Sequence, residues 1–187
     1  EGDLDLEERT SIARDDVWNA LEAMGRRAGR DGVKEAVCRA IAGVSHAFNL
    51  DVNRDESADT ALAAYRVMRM LVDFGEALPA AGRDGTREAV CRALGNLVVA
   101  HKLADFRFNV PLESVPELFL SLGRGAVTEG GREAVCTAIS QVALFDEDER
   151  SLSMSAIREL ILALGAAVQS HRAREAWCEA VHQLASN

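Results

Sequence analysis

The stretch Arg-Glu-Ala-Val-Cys-Arg-Ala-Leu at residues 87–94 decides the architecture, because it occurs four times along the chain. Close variants stand at residues 34–41, 132–139 and 174–181, and each keeps a basic residue, Glu, Ala, an apolar residue and Cys in that order. Repetition at intervals of about 20–50 residues is typical of stacked structural units that share a continuous core. The repeat therefore predicts a surface built from equivalent elements rather than a single catalytic pocket.

A second landmark, a glycine that follows a large apolar residue, precedes each cysteine segment. The four glycines are Gly25, Gly75, Gly123 and Gly165. Apolar residues stand one, four and eight positions before each glycine, and this spacing lines one face of an α-helix. Turn sequences such as Gly-Arg-Asp-Gly at residues 82–85 then separate this helix from the cysteine helix. We predict a helix, a short loop and a second helix in each unit, with the glycine near the helix end or at a close crossing.

The predicted fold is all-α, a right-handed α-solenoid of about four units in a single domain over residues 1–187. The repeats are predicted at residues 10–48, 57–101, 112–145 and 153–187. Between them lie weakly patterned stretches at 49–63, 102–112 and 144–155, each long enough for a short extra helix.

The four cysteines occupy the same position of the repeated helix. They are Cys38, Cys91, Cys136 and Cys178. Neighbouring packed helices lie about 8–10 Å apart, whereas a disulfide needs Cα atoms within about 7 Å. Cysteine is also among the most often buried residue types. We therefore predict reduced thiols in the core, and with them a reducing, cytoplasmic compartment.

Charge and composition bear on the partner. The 187 residues carry a net charge of −9, which argues against nucleic acid as the main ligand and is compatible with a basic peptide. No apolar run approaches the roughly 20 residues of a membrane span. The histidines fall at different positions of the repeat, and nothing resembles a nucleophile with its base. We expect no enzyme activity, no cofactor, no catalytic residue and no metal site.

A resemblance to a known family can now be stated. Residues 91–97, Cys-Arg-Ala-Leu-Gly-Asn-Leu, resemble the third helix of an armadillo repeat, in which an Ala-Leu pair, a small residue, Asn and an aliphatic residue follow one another. The apolar helix that ends at Gly75 resembles the second helix of that repeat, and the resemblance extends through four units. HEAT repeats share the same coarse pattern. The resemblance implies that third helices line a concave groove, where their asparagines hydrogen-bond the backbone of an extended peptide.

Carried to this sequence, the resemblance places Asn96 in that role. The equivalent positions hold Gly43, Gln141 and Gln183, and glutamine offers the same donor and acceptor as asparagine. Because the asparagine row is irregular, a helical or folded partner is favoured over an extended peptide. The predicted partner-binding residues on the concave face are Arg39, Glu88, Arg92, Asn96, Thr137, Gln141, Glu179 and Gln183.

Some of these side chains have a second interpretation. Glu88 and Arg92 are four residues apart and could simply pair with each other on an exposed helix. A basic residue also opens each cysteine helix, and it either pairs between repeats or contacts a ligand. These basic residues are Lys34, Arg87, Arg132 and Arg174.

The predicted function is a non-enzymatic scaffold that binds a partner peptide, helix or protein along the concave face. The alternative is a structural assembly module of a larger complex or a homo-oligomer, since Trp177 and Val181 in the last unit would be exposed unless something covers them. A HEAT-type enzyme or nucleic-acid reader is a third possibility, and it would need clustered carboxylates or a basic cleft.

Overall fold

A computed structural model describes residues 14–49, 58–79, 83–101, 115–143 and 154–186. Within these ranges the chain is all-α, as predicted, with eight helices and no strand. The helices are α1 (Arg14–Arg26), α2 (Asp31–Asn49), α3 (Ala58–Glu76), α4 (Asp84–His101), α5 (Val115–Arg124), α6 (Glu129–Ala143), α7 (Met154–Ala167) and α8 (His171–Ser186). The stretches that could hold extra helices lie mostly outside the described residues. No helix in the described ranges is both long and apolar enough to cross a membrane.

Consecutive helices pair into four hairpins, α1–α2, α3–α4, α5–α6 and α7–α8. The even-numbered helices pack side by side in one row, which we call the even row, and these are the most extensive contacts in the molecule. The odd-numbered helices form a second row with fewer contacts between neighbours. The apolar core lies between the two rows and within the even row.

The two inner helices of the even row, α4 and α6, are packed on two faces, whereas α2 and α8 at its ends are packed against one neighbour of the row each. We call the face towards the preceding hairpin the leading face, and the face towards the following hairpin the trailing face. Gly95 on the trailing face of α4 lies against Ala138 on the leading face of α6, so closely that a methyl group added at Gly95 would be 3.2 Å from Ala138 Cα. Small residues therefore set the close spacing of the even row.

The glycines of the odd row provide close crossings, which confirms the sequence prediction. Met70 of α3 packs against Gly25 of α1, and Leu118 of α5 packs against Gly75 of α3. In the same way, a methyl group at Gly123 would be 2.6 Å from Leu160 Cδ1 of α7. Each of these glycines thus leaves room for an apolar side chain of the next odd helix. That side chain stands at the same position of the repeat each time, five residues before the next landmark glycine.

The last of these glycines has a different neighbour. Gly165 is covered by Trp177 of its own hairpin, and the indole Nε1 of Trp177 donates a hydrogen bond to Ile161 O at 2.7 Å. Trp177 is half-buried, whereas Trp18 in the first hairpin is fully buried. Both tryptophans pack into the protein rather than standing free in solvent.

Three of the four cysteines are buried, as predicted, and all four are free thiols. Burial raises the pKa of Cys38, Cys91 and Cys136 to about 12. The prediction of a core thiol is wrong for Cys178, which is exposed. Its position on the trailing face of α8 is not followed by another hairpin among the described residues, so nothing there covers the thiol.

Candidate interaction face on the even helices

One position of the repeat, the residue after the cysteine, forms a row along the outer side of the even helices. Arg39, Arg92 and Glu179 are exposed at this position of α2, α4 and α8, and Thr137 of α6 is half-buried. A helical period of 3.6 residues turns this position by about 100° from the cysteine that packs within the row. We call the surface that these four residues form with Glu88 the outer face.

The charges of the outer face change along the row. Arg39 pairs with Glu35 at 2.6 Å, and Arg92 pairs with Glu88 at 3.1 Å and reaches Glu133 of the next helix at 3.3 Å. Thr137 and Glu179 stand at the positions that these arginines hold, so α6 and α8 have no such cation there. The outer face therefore carries ion pairs at α2 and α4, an uncharged side chain, Thr137, at α6 and a carboxylate, Glu179, at α8.

A depression of about 210 Å³ opens on the outer face between α2 and α4. Its lining residues are Arg39, Ala42, Gly85, Glu88, Ala89 and Arg92. Small side chains leave this space, and Glu35 approaches Gly85 so closely that a methyl group there would be 2.9 Å from Glu35 Oε2. Three predicted residues thus lie around one concave site.

The predicted amide residues are engaged within the protein. Asn96 Nδ2 donates a hydrogen bond to Ala42 O at 3.1 Å, and Gln141 Nε2 donates to Asn96 Oδ1 at 3.3 Å. These two bonds join α2, α4 and α6 across the even row. Gln183 does not continue this series, because its Nε2 donates to Glu179 Oε1 at 2.8 Å on its own helix. Both ends of the Asn96 amide therefore bind the protein's own atoms in this structure.

Two of the basic residues that open the cysteine helices make structural contacts. Arg87 is almost fully buried; its Nη1 pairs with Asp84 at 2.9 Å and its Nη2 donates to Pro79 O at 2.8 Å. Arg132 pairs with Glu129 at 2.7 Å and donates to Ala167 O at 3.0 Å. A third, Lys34, lies 5.3 Å from the ring centroid of Phe74. These contacts are structural, but the carboxylates that pair with Arg87 and Arg132 lie on the same helix as the arginine rather than in a neighbouring repeat. Contacts between hairpins are made by Arg132 with Ala167 O and by Lys34 with Phe74.

Sequence reasoning missed a series of carboxylates that link successive hairpins. Asp84 Oδ2 accepts a hydrogen bond from Thr128 N at 2.9 Å, and Asp31 pairs with Arg83. In each case the first residue of an even helix reaches the loop before the next even helix. The available signal was an acidic residue seven positions before the cysteine in three of the four copies.

Glu129 is the third member of this series. Its Oε2 accepts hydrogen bonds from Ser170 N at 2.8 Å and Gln169 N at 2.9 Å, just before α8 begins. These backbone donors, assisted by Arg132, lower the pKa of Glu129 to about 2. The carboxylate therefore holds the α7–α8 loop against α6 throughout the neutral pH range.

The described residues were compared with the requirements of a metal site and of a thiol nucleophile. They include no cluster of three or more His, Cys, Asp or Glu side chains placed to hold a metal ion. The raised pKa values of the buried cysteines leave those thiols protonated, and a protonated thiol is a poor nucleophile. Comparison of the chain with known protein families, with curated proteins and with solved structures finds no match.

Proposed function

We propose that this chain is a non-enzymatic protein-interaction scaffold, in which four hairpins form a right-handed, armadillo- or HEAT-like α-solenoid. The outer face is the proposed binding surface for a protein or peptide partner. The observation that carries the proposal is the row of equivalent side chains on four adjacent helices, together with the depression between α2 and α4. A preformed helical surface of this kind lowers the ordering cost of binding.

The contacts on the outer face favour one kind of partner. The depression between α2 and α4, which has the small residues Ala42 and Gly85 in its lining, would receive a partner side chain. The exposed Glu179 would favour a basic group at the α8 end of the outer face. Since both ends of the Asn96 amide and the Nε2 of Gln141 already bind within the protein, a helix or a folded surface is better supported than an extended peptide backbone. The free thiols suit a reducing compartment, where we expect the scaffold to act.

The test compares two charge-reversed variants. Arg39→Glu with Arg92→Glu alters the outer face, and Arg69→Glu with Arg124→Glu makes the same change at exposed positions of the odd helices. A partner identified by co-purification would be produced in pure form, and its Kd would be measured against wild type and both variants. We expect the outer-face variant to bind at least about tenfold more weakly and the control to bind as wild type does.

Two results would contradict the proposal. Equal affinity of the outer-face variant and wild type would show that the partner binds elsewhere. A loss of binding confined to the odd-helix control would move the site to the opposite side of the molecule. Circular dichroism of each variant checks that the fold is kept, since all four arginines are exposed or part of exposed ion pairs.

A further inference from the structure

An apolar groove of about 310 Å³ lies at the last hairpin, between α7 and α8. Its lining residues are Arg158, Ile161, Leu162, Val181, Leu184 and Ala185. Leu162 is 69% exposed and Val181 is 36% exposed. This groove forms part of the trailing face of the last hairpin, away from the outer face.

The trailing face is covered in the earlier hairpins. In α6, the residues Cys136, Ile139 and Ala143 of this face are fully buried beneath the fourth hairpin. The equivalent residues of α8 are Cys178, Val181 and Ala185, and all three are exposed. Within the part of the chain that the structure describes, α8 therefore exposes a surface that is buried on α2, α4 and α6.

The first hairpin leaves the complementary surface uncovered. Thr86, Ala89 and Ala93 form the leading face of α4 and are buried against α2. Their equivalents on α2 are Val33, Ala36 and Ala40, which are all exposed. Among the described residues, a leading face is thus exposed at one end of the even row, on α2, and a trailing face is exposed at the other end, on α8.

We propose that the trailing face of α7–α8 in one copy binds the leading face of α1–α2 in a second copy, so that the even row continues from one molecule into the next. The second copy is the proposed occupant because the contact repeats a packing that the chain makes three times internally. The proposal concerns the ends of the row, and it does not depend on the proposed role of the outer face.

Side-chain sizes at the two ends support this pairing. In two of the three internal contacts of the row, a small residue on the trailing face lies against an amide of the next helix: Ala42 against Asn96, and Gly95 against Gln141. At the two ends of the row the large and small side chains are exchanged. In α8, His182 stands where α2 has Ala42, and in α2, Gly43 stands where α4 has Asn96. A methyl group added at Gly43 would meet no atom within 4 Å, so space is available there for an imidazole.

A second internal contact has its two halves at opposite ends. Glu88 packs against Gly130 of the next helix, where a methyl group would be 2.8 Å from Glu88 Oε2. The corresponding residues at the ends are Glu175 on α8, which is exposed, and Gly32 on α2, which has no atom within 4 Å of an added methyl group. Stacking two copies would bring this carboxylate and this glycine together.

Side-chain sizes at the two ends of the odd row are complementary as well. Met70, Leu118 and Leu160 each fill the space over a glycine of the preceding hairpin. Their equivalent in α1 is Ala20, which is too small to do so, and Trp177 already fills the space over Gly165. A head-to-tail contact would therefore place Ala20 of one copy over Gly165 of the other, where Trp177 already occupies the space that a larger side chain would need.

A head-to-tail contact uses different surfaces on the two copies, so it does not close after two molecules and builds longer chains or rings. The test uses sedimentation velocity of the purified chain over the micromolar to millimolar range. Ala40→Arg blocks the leading face, Leu162→Glu blocks the trailing face, and Ala163→Glu is a matched control at an exposed position beside the groove. All three positions are exposed, so folding should be kept, which circular dichroism would check.

We expect wild type and the control to form oligomers of increasing size as the concentration rises. Each blocked variant alone should remain monomeric. An equimolar mixture of the two blocked variants should form a 1:1 dimer and nothing larger, because such a mixture contains one intact trailing face and one intact leading face per pair.

Three results would overturn the proposal. A wild type that stays monomeric at every concentration would leave the end faces to another protein or to another segment. Dimerisation of Ala40→Arg alone, with Leu162→Glu monomeric, would show that α8 pairs with a second α8. A mixture that remains monomeric while wild type associates would place the contact on other surfaces.

Discussion

At the level of single residues, equivalent positions of the repeat have different roles because their neighbours differ. Cys136 and Cys178 occupy the same place in the repeated sequence, yet Cys136 is fully buried and Cys178 is exposed. Cys136 is covered by the hairpin that follows it, whereas no hairpin follows Cys178 among the described residues. The free energy of unfolding that a substitution removes therefore depends on the position of the helix in the even row as much as on residue type.

The two cysteines provide a matched pair of variants. Cys136→Asp would place a carboxylate in a fully buried site, and we expect a loss of at least about 3 kcal/mol in the free energy of unfolding. Cys178→Asp should change it by no more than about 0.5 kcal/mol, because its side chain is solvated. Urea unfolding followed by circular dichroism measures both. Equal losses would show that the cysteine positions are not distinguished by burial.

Glu129 predicts a specific dependence on pH. Its pKa is about 2 in the folded protein and 4.5 for an unperturbed glutamate, so its contribution to stability is fully present above pH 4.5. That contribution is lost as the pH falls from about 4.5 through about 2, because the carboxylate is protonated first in the unfolded chain and only then in the folded protein. Glu129→Gln should lower the free energy of unfolding at pH 7, and the difference from wild type should shrink on acidification.

The control for this experiment is Glu159→Gln, at an exposed carboxylate of α7. Its difference from wild type should be small and should not follow the same course with pH. A Glu129→Gln variant whose difference from wild type stays constant from pH 7 to pH 2 would contradict the role assigned to this carboxylate.

For the helices, small residues determine how closely the members of the even row approach. A methyl group at Gly95 would overlap Gln141 Oε1 and lie 3.2 Å from Ala138 Cα, whereas one at Gly43 would meet nothing within 4 Å. Both glycines stand inside helices, where alanine is otherwise favoured by about 0.5–1 kcal/mol. The two sites therefore separate the effect of packing from that of helix propensity.

We expect Gly43→Ala to raise the free energy of unfolding by about 0.5–1 kcal/mol. Gly95→Ala should lower it by about 1–3 kcal/mol, because α4 and α6 would have to move apart. Thermal and urea unfolding of the two variants measure the difference. Stabilisation by both substitutions would show that the even row can accommodate a side chain at Gly95.

The helices and their buried faces were predictable from the sequence, since periodicity within one segment determines which side of a helix is apolar. The close crossings at Gly25, Gly75 and Gly123 were predictable for the same reason. The internal bonds of Asn96 were not, because they depend on which atoms of α2 and α6 lie opposite it. The capping of the α7–α8 loop by Glu129 depends likewise on contact between residues some 40 positions apart.

For the whole molecule, the even row is the more tightly packed of the two layers. Its inner helices, α4 and α6, are covered on both the leading and the trailing face, and local opening of these helices would disrupt two hairpins at once. Amide hydrogen exchange should therefore be slowest in α4 and α6 and faster in α1 and α8. Exchange measured by mass spectrometry checks this order, and uniform protection across all eight helices would contradict it.

The different surroundings of the two indoles give each end of the molecule its own optical signal. Trp18 is sealed in the first hairpin, while Trp177 covers Gly165 in the last hairpin and remains partly in contact with water. Because water relaxes the excited indole dipole, Trp18 should emit at shorter wavelengths than Trp177. Replacing either tryptophan with phenylalanine would leave a single tryptophan, and with excitation at the red edge of indole absorption, fraying of the first hairpin could be followed separately from fraying of the last.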